Sequence, residues 1–270
     1  MAAFIILDSI THMTADHCGR AVLAASHGGT YAAYLAAKMG AGAVILNDAG
    51  VGREQAGIAG LQMLEALGVP AAAIAHTSAR IGDGADSAAR GVLSFVNAPA
   101  ATLGLAVGMS CTGAMTRLAA APLSASPAPT ALAEVRFEFT EANAHGIRVI
   151  GADSATLVTA ADAGHIFVNG SHGGLLGGRP ETAIKVDVLA AVYNDAGGGI
   201  DGAGVSRLPA LDARGIAGAC VSCFSARIGD GRSTYADGVI SAVNATAAGW
   251  GGAVGQTCRE FVGVMVARAQ

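Results

Sequence analysis

The sequence lacks a basic cluster or an Arg-rich stripe: 16 Lys and Arg stand against 20 Asp and Glu, a formal net charge of −4 over 270 residues. Nucleic acid is therefore not expected as a partner. No apolar run approaches the roughly 18 residues that a membrane span needs, so no membrane partner is expected either. The apolar start, Met1 to Leu7, is short, uncharged and followed at once by Asp8 and Ser9. It reads as a first strand rather than a signal peptide. The five cysteines are scattered and odd in number, which gives neither a disulfide framework nor a zinc spacing and points to a reducing cytoplasm. Neither a Gly-x-Gly-x-x-Gly opening the first helix nor a P-loop Gly-Lys-Ser/Thr is present, so no cofactor is expected. The histidine spacing names no known metal site, which leaves a metal held by His and Asp open.

What the chain does contain is a repeat. Asp8-Ser9 returns as Asp153-Ser154, and Ser26-His27-Gly28-Gly29 as Ser171-His172-Gly173-Gly174, both at a shift of 145 residues. Asn47-Asp48-Ala49-Gly50 returns as Asn194-Asp195-Ala196-Gly197 at a shift of 147, so two residues are inserted near Gly177 to Glu181. The new register persists: Ser78 to Gly84 matches Ser225 to Gly231, and Cys111 falls on Cys258. A register held over so many motifs marks a tandem duplication. Residues 1–121 form the first unit and 146–270 the second. Residues 122–145 read as a linker, with Pro122, Pro127 and Pro129 among Ala and Ser and an extra strand at Val135 to Phe139.

Within the first copy, short apolar runs occur at Phe4–Leu7, Ala21–Ala25, Ala43–Leu46, Ala71–Ala75 and Leu105–Val107. Helix-like stretches occur at Tyr31–Met39, Ala56–Leu67 and Ser87–Val96. This alternation predicts an α/β fold: two tandem homologous units, each a mainly parallel sheet flanked by helices, packed as a pseudo-dimer. Such sheets bind ligands beyond the carboxyl ends of their strands, and the repeated motifs fall at those ends. A small-molecule substrate is the expected partner, and assembly into a homo-oligomer is compatible with it.

The candidate chemistry follows from residue type. His27 and His172 stand at strand ends, where an imidazole serves as general base or acid. Asp48 and Asp195 orient the His, or act as turn and cap residues. Arg80 and Arg227 grip a substrate carboxylate, or clasp Asp83 and Asp230. Ser26, Ser171, Ser78, Ser225, Asn47 and Asn194 are the polar companions of these motifs. Cys111 and Cys258 precede helical stretches, where a thiol can be activated, though a buried Cys is commonly a small hydrophobe. Position 76 is His in the first copy, and its counterpart is Cys223, a further candidate nucleophile.

Two family resemblances attach to these residues. Val22 to Gly29 followed by Val44 to Gly52, and again Ile166 to Gly174 followed by Val192 to Gly199, resemble the His strand and Cys strand of caspase-like (clan CD) peptidases. That resemblance implies their fold, with His27 and His172 in the place of the family His. Gly50 and Gly197 stand where that family carries its nucleophilic Cys, so it does not extend to peptidase activity. Cys111-Thr112-Gly113 resembles one Cys motif of the aspartate/glutamate racemases, also duplicated α/β proteins, whereas Cys258 is followed by Arg259.

The function expected first is hydrolysis of a C–N bond in a small amide, imide or ring. His27 or His172 would be its base, the paired Asp the orienter and Arg80 or Arg227 the clamp. The nucleophile is water, Cys223 or a strand-end Ser. The alternatives are a two-cysteine isomerase using Cys111 and Cys258, and a non-catalytic binding protein.

Overall fold

The computed structural model describes residues 5–139 and 146–268; Met1 to Phe4 and the start of the second copy at His145 lie outside the described residues. The first unit contains strands β1 (Ile5–Leu7), β2 (Ala21–His27), β3 (Ala43–Asn47), β4 (Ala71–Ile74) and β5 (Leu93–Val96). Its helices are α1 (Thr30–Lys38), α2 (Gly60–Ala66), α3 (Gly84–Arg90), α4 (Ala98–Thr102) and α5 (Cys111–Ala120). The second unit contains β6 (Arg136–Phe139), β7 (Val149–Ala152), β8 (Ile166–His172), β9 (Ala190–Asn194), β10 (Ala217–Val221) and β11 (Ile240–Val243). Its helices are α6 (Arg207–Asp212), α7 (Gly231–Asp237), α8 (Ala245–Gly249) and α9 (Cys258–Arg268).

The fold is α/β, built as two sheets of matching topology. Strands β1 to β4 are parallel neighbours, and β5 closes the edge antiparallel to β4. Strands β7 to β10 repeat the pattern, with β11 antiparallel at one edge and β6 antiparallel at the other. Alternate residues of each strand feed opposite faces. Val22, Val44 and Ala71 pack under α1 and α2, while Leu23, Ile45 and Ala72 pack against α4 and α5. Continuous apolar strands are what a sheet covered on both faces requires. No helix among the described residues is long and apolar enough to cross a membrane.

Two local expectations are corrected. The stretch Ser87–Val96 is not one helix: α3 ends at Arg90, and after Gly91 the alternating Leu93–Val96 becomes β5. Leu105–Val107 forms no strand; Leu105 is a core residue and Val107 is exposed. β5 takes the sheet edge that the Leu105 run was expected to hold, because its backbone pairs with β4 directly after a short helix.

The two units meet through the loops that follow their strands, in a pseudo-two-fold contact of isologous type. The Arg53 N–H donates to the Cys223 carbonyl at 2.8 Å, and the Ile200 N–H donates to the His76 carbonyl at 2.9 Å. Arg80 pairs with Asp201 at 2.8 Å, and Arg227 with Glu54 at 3.2 Å. Each pair exchanges roles under the 147-residue shift. A small apolar core of Ala49, Ile81, Ala196, Ala203 and Ile228 lies between the units. The halves diverge after the Ser-His-Gly-Gly turns. The first turn leads straight into α1; the second leads into an irregular segment with a short 3-10 turn at Pro180–Thr182, whose Ala183, Ile184 and Val188 join the core of the second unit.

Candidate active site at the pseudo-two-fold axis

The strand ends bring both Ser-His-Gly-Gly turns to one place. His27 and His172, with Ser26 and Ser171 beside them, line a common inner chamber of about 90 Å³. That chamber shares His27, Tyr31, Glu134, Asp153 and Gly229 with an outer vestibule of about 310 Å³. The vestibule wall includes α1 residue Thr30 and Glu54 from the first unit, Arg227 and Asp230 from the second, and Leu132 and Ala133 from the linker. The symmetry-equivalent place beside His172 is filled. The Leu175 carbonyl packs against Gly82, the Gly177 N–H donates to the Gly82 carbonyl at 2.7 Å, and Arg179 reaches Asp8 at 3.8 Å. The irregular segment that replaces the helix thus plugs one of two related sites and leaves the other open.

Both imidazoles are held neutral. Burial pushes His27 down to about 4, and burial with the Arg207 charge nearby pushes His172 well below its ordinary value. In each, Nδ1 accepts a backbone N–H two residues on, from Gly29 at 3.1 Å and from Gly174 at 3.1 Å. A neutral imidazole whose Nδ1 is an acceptor carries its proton on Nε2. His27 and His172, which line the chamber, thus each have an Nε2–H to donate and an Nδ1 already occupied. Asp48 and Asp195 are not bonded to either imidazole.

This neutrality has a measurable consequence. The unfolded chain protonates its histidines near pH 6.5, whereas the folded chain leaves these two neutral to lower pH. Their stabilisation is thus complete above about pH 6.5 and is lost as pH falls below it, toward about 4 for His27, each proton adding about 1.4 kcal/mol per pH unit to the slope. Urea unfolding between pH 5 and 7 should show a shallower slope, by about that amount, in His172→Gln. An unchanged slope would mean the buried imidazole is already charged.

Asp48 and Asp195 stand at the other face of the contact, each accepting two backbone N–H groups. Asp48 takes those of Gly50 and His76 at 3.1 and 2.9 Å; Asp195 takes those of Gly197 and Cys223, both at 2.9 Å. Asp48 also accepts from the His76 Nδ1–H at 2.8 Å and from the Ser94 hydroxyl at 2.8 Å. Its proximity raises the His76 pKa and the hydrogen bonds hold the Asp48 carboxyl below its usual range. The orienter expected for His27 is therefore engaged with His76 instead. These contacts brace a turn in which Ala49 and Val51 adopt left-handed backbone, at φ 49° and 61°.

The remaining candidates are held by structural contacts. The Asn47 and Asn194 side chains accept the Ala49 and Ala196 N–H groups at 2.9 Å each. Ser26 and Ser171 accept the Ile10 and Ala155 N–H groups. Ser78 and Ser225 bridge their loops to the Val92 and Val239 N–H groups. Arg80 is neutralised by Asp201, with Asp86 and Asp83 near it, and Arg227 by Asp230 and Glu54. Both guanidinium groups are thus already paired with carboxylates of the protein. Cys111 and Cys258 are fully buried in the cores of different units. Burial pushes the Cys111 thiol up to about 12, and Cys223, also buried, up to about 12. No cluster of three or more metal-ligating side chains occurs among the described residues.

Three chamber residues were not among the candidates. Glu134, on the linker, is pushed up to about 7, first by burial and then by the neighbouring Asp153, against a Ser154 hydrogen bond. Asp153 belongs to the repeated Asp-Ser pair, and its oxygens accept the Gly231 N–H at 3.2 Å and the Val135 N–H at 2.8 Å. Arg207 is 5% exposed and lines the inner chamber. The available signals were faint: Glu134 has no counterpart in the repeat, and Arg207 faces Gly60 in the other copy. Comparison with protein-family models, with curated proteins and with solved structures finds no match to this chain.

Proposed function

We propose that the protein is a small-molecule hydrolase that opens a C–N bond of an amide, imide or ring at a single composite site between its halves. The observation that carries this reading is that both repeated His turns line one chamber, whose mouth holds a carboxyl group balanced near neutrality. Glu134 in its ionised form takes a proton from water, and the water oxygen attacks the carbonyl carbon. The Nε2–H group of His27 stabilises the negative charge that develops on the carbonyl oxygen, as a fixed donor in a site that excludes bulk water. Glu134 then returns the proton to the departing nitrogen as the C–N bond breaks. Asp153, which accepts two backbone N–H groups, stands beside Glu134, and its charge keeps Glu134 easy to protonate.

The two-cysteine isomerase loses its support here, because buried thiols in separate cores cannot face one substrate. The test is a panel of amides, cyclic imides and lactams, each with and without a carboxylate, followed by NMR for product. Turnover is expected for at least one class, with His27→Ala lowering kcat by about 100-fold, the usual cost of an oxyanion donor. A compound that binds in the chamber while none is turned over would make the protein a binding protein and defeat the hydrolase reading.

A further inference from the structure

The chamber contains a buried cation, Arg207. The Arg207 Nε donates to the Gly174 carbonyl at 3.0 Å, and Nη1 donates to the carbonyls of Thr182, at 2.7 Å, and Ala183. Its guanidinium lies over the Tyr193 ring, 5.1 Å from the centroid. Among the described residues no Asp or Glu lies within ion-pairing distance of it. Arg80 and Arg227, in contrast, each carry two or more acidic partners. Carbonyl dipoles hold a guanidinium in place, yet a buried charge without a counter-ion is expensive. Beside it stands His172, 6% exposed, with its proton on Nε2 and its Nδ1 occupied. The first copy has nothing equivalent, since Gly60 stands at the matching position. The cation was therefore set into only one end of an otherwise two-fold chamber.

We infer that the inner chamber is a subsite for a small carboxylate, held by the Arg207 guanidinium with the His172 imidazole donating beside it. Resting on the hydrolase reading, it makes the substrate a carboxylate-bearing amide or imide whose carboxylate enters first. The volume agrees: about 90 Å³ holds about three waters, room for a carboxylate and little more. With Nε and Nη1 donating to carbonyls, the Nη2–H groups remain to donate to an anion, and the nearby Asp153 would repel a dianion more than a monoanion.

The subsite is tested by binding, without turnover. Acetate, its neutral isostere acetamide, and inorganic phosphate are titrated at constant ionic strength into the full-length protein. Binding is followed by NMR of the His172 ring and by thermal shift. Acetate is expected to saturate and to shift the His172 signal, with acetamide and phosphate about tenfold weaker or more. Arg207→Gln should abolish the acetate response, and Arg207→Lys should weaken it. If Arg207→Gln does not fold, the wild-type contrast between acetate and acetamide decides alone. No saturable acetate binding in the wild type, or equal binding of acetate and acetamide, would overturn the subsite and leave Arg207 as a pin for the 174–183 segment. Preference for phosphate over acetate would overturn it equally. Acetate binding without any turnover would retain the subsite and sink only the hydrolase.

Discussion

Glu134→Gln is expected to lower kcat by about 10²- to 10⁴-fold with little change in KM, the range for removing a general acid–base group. In the wild type, kcat/KM should rise tenfold per pH unit on the acid side and level off above an apparent pKa near the value of about 7 held by Glu134. The limb belongs to the Glu134–Asp153 pair rather than to one carboxyl. Asp153→Asn should therefore move it to lower pH by removing the like charge. The Gln variant also carries its own fold control. Glu134 binds its proton more tightly in the folded chain than in the unfolded one, so its contribution to stability is present at low pH and is lost as pH rises through about 7. Glu134→Gln lacks that loss and should be no less stable than wild type at pH 8. Turnover within about threefold of wild type, with the acid limb intact, would remove Glu134 from the chemistry.

The second large effect concerns the contact between the halves. Gly50 and Gly197 meet backbone to backbone on the pseudo-two-fold axis, at φ 76° and 77°. A Cβ on Gly50 would lie 2.8 Å from the Gly197 Cα, and one on Gly197 would lie 2.9 Å from the Gly50 Cα. Neither collision can be relieved by turning a side chain, so the units must separate. Gly50→Ala and Gly197→Ala are each expected to cost about 3 kcal/mol or more, from left-handed strain and lost packing together. Gly198→Ala supplies the contrast: its φ is 72° with nothing within 4 Å of the added carbon, so it should cost only about 1 kcal/mol. Urea unfolding of the three variants checks the ordering. Both axis variants should also lose acetate binding, since the halves carry opposite walls of the chamber. Equal costs at positions 50 and 198 would mean that the close approach on the axis does not constrain the fold.

The arginines show where reading the chain alone stops. Arg80 and Arg227 look like anion grips because each stands in a repeated strand-end motif. Arg227 does keep the local Asp230 clasp, at 2.9 Å, but the further partners Asp201 and Glu54 belong to the opposite unit, more than 100 residues away in the chain. Arg207 looks unremarkable in sequence, yet among the described residues it is buried without a carboxylate, because the segment that replaced a helix wraps it in carbonyls. His27 and His172 were visible as a pair from their tetrapeptides. Their protonation was not, since it follows from burial against the other half and from one backbone N–H at Nδ1.

The duplication, the parallel α/β layering and the gathering of polar motifs at strand ends were determined by the chain alone, because each rests on local periodicity and on register along it. Tertiary structure decided which copy keeps an open site, which imidazole nitrogen carries the proton, which carboxyl titrates near neutrality and which guanidinium is held by carbonyls. Those properties depend on dielectric surroundings and on partners supplied by the other unit, and a charge's neighbours in space are not its neighbours in sequence.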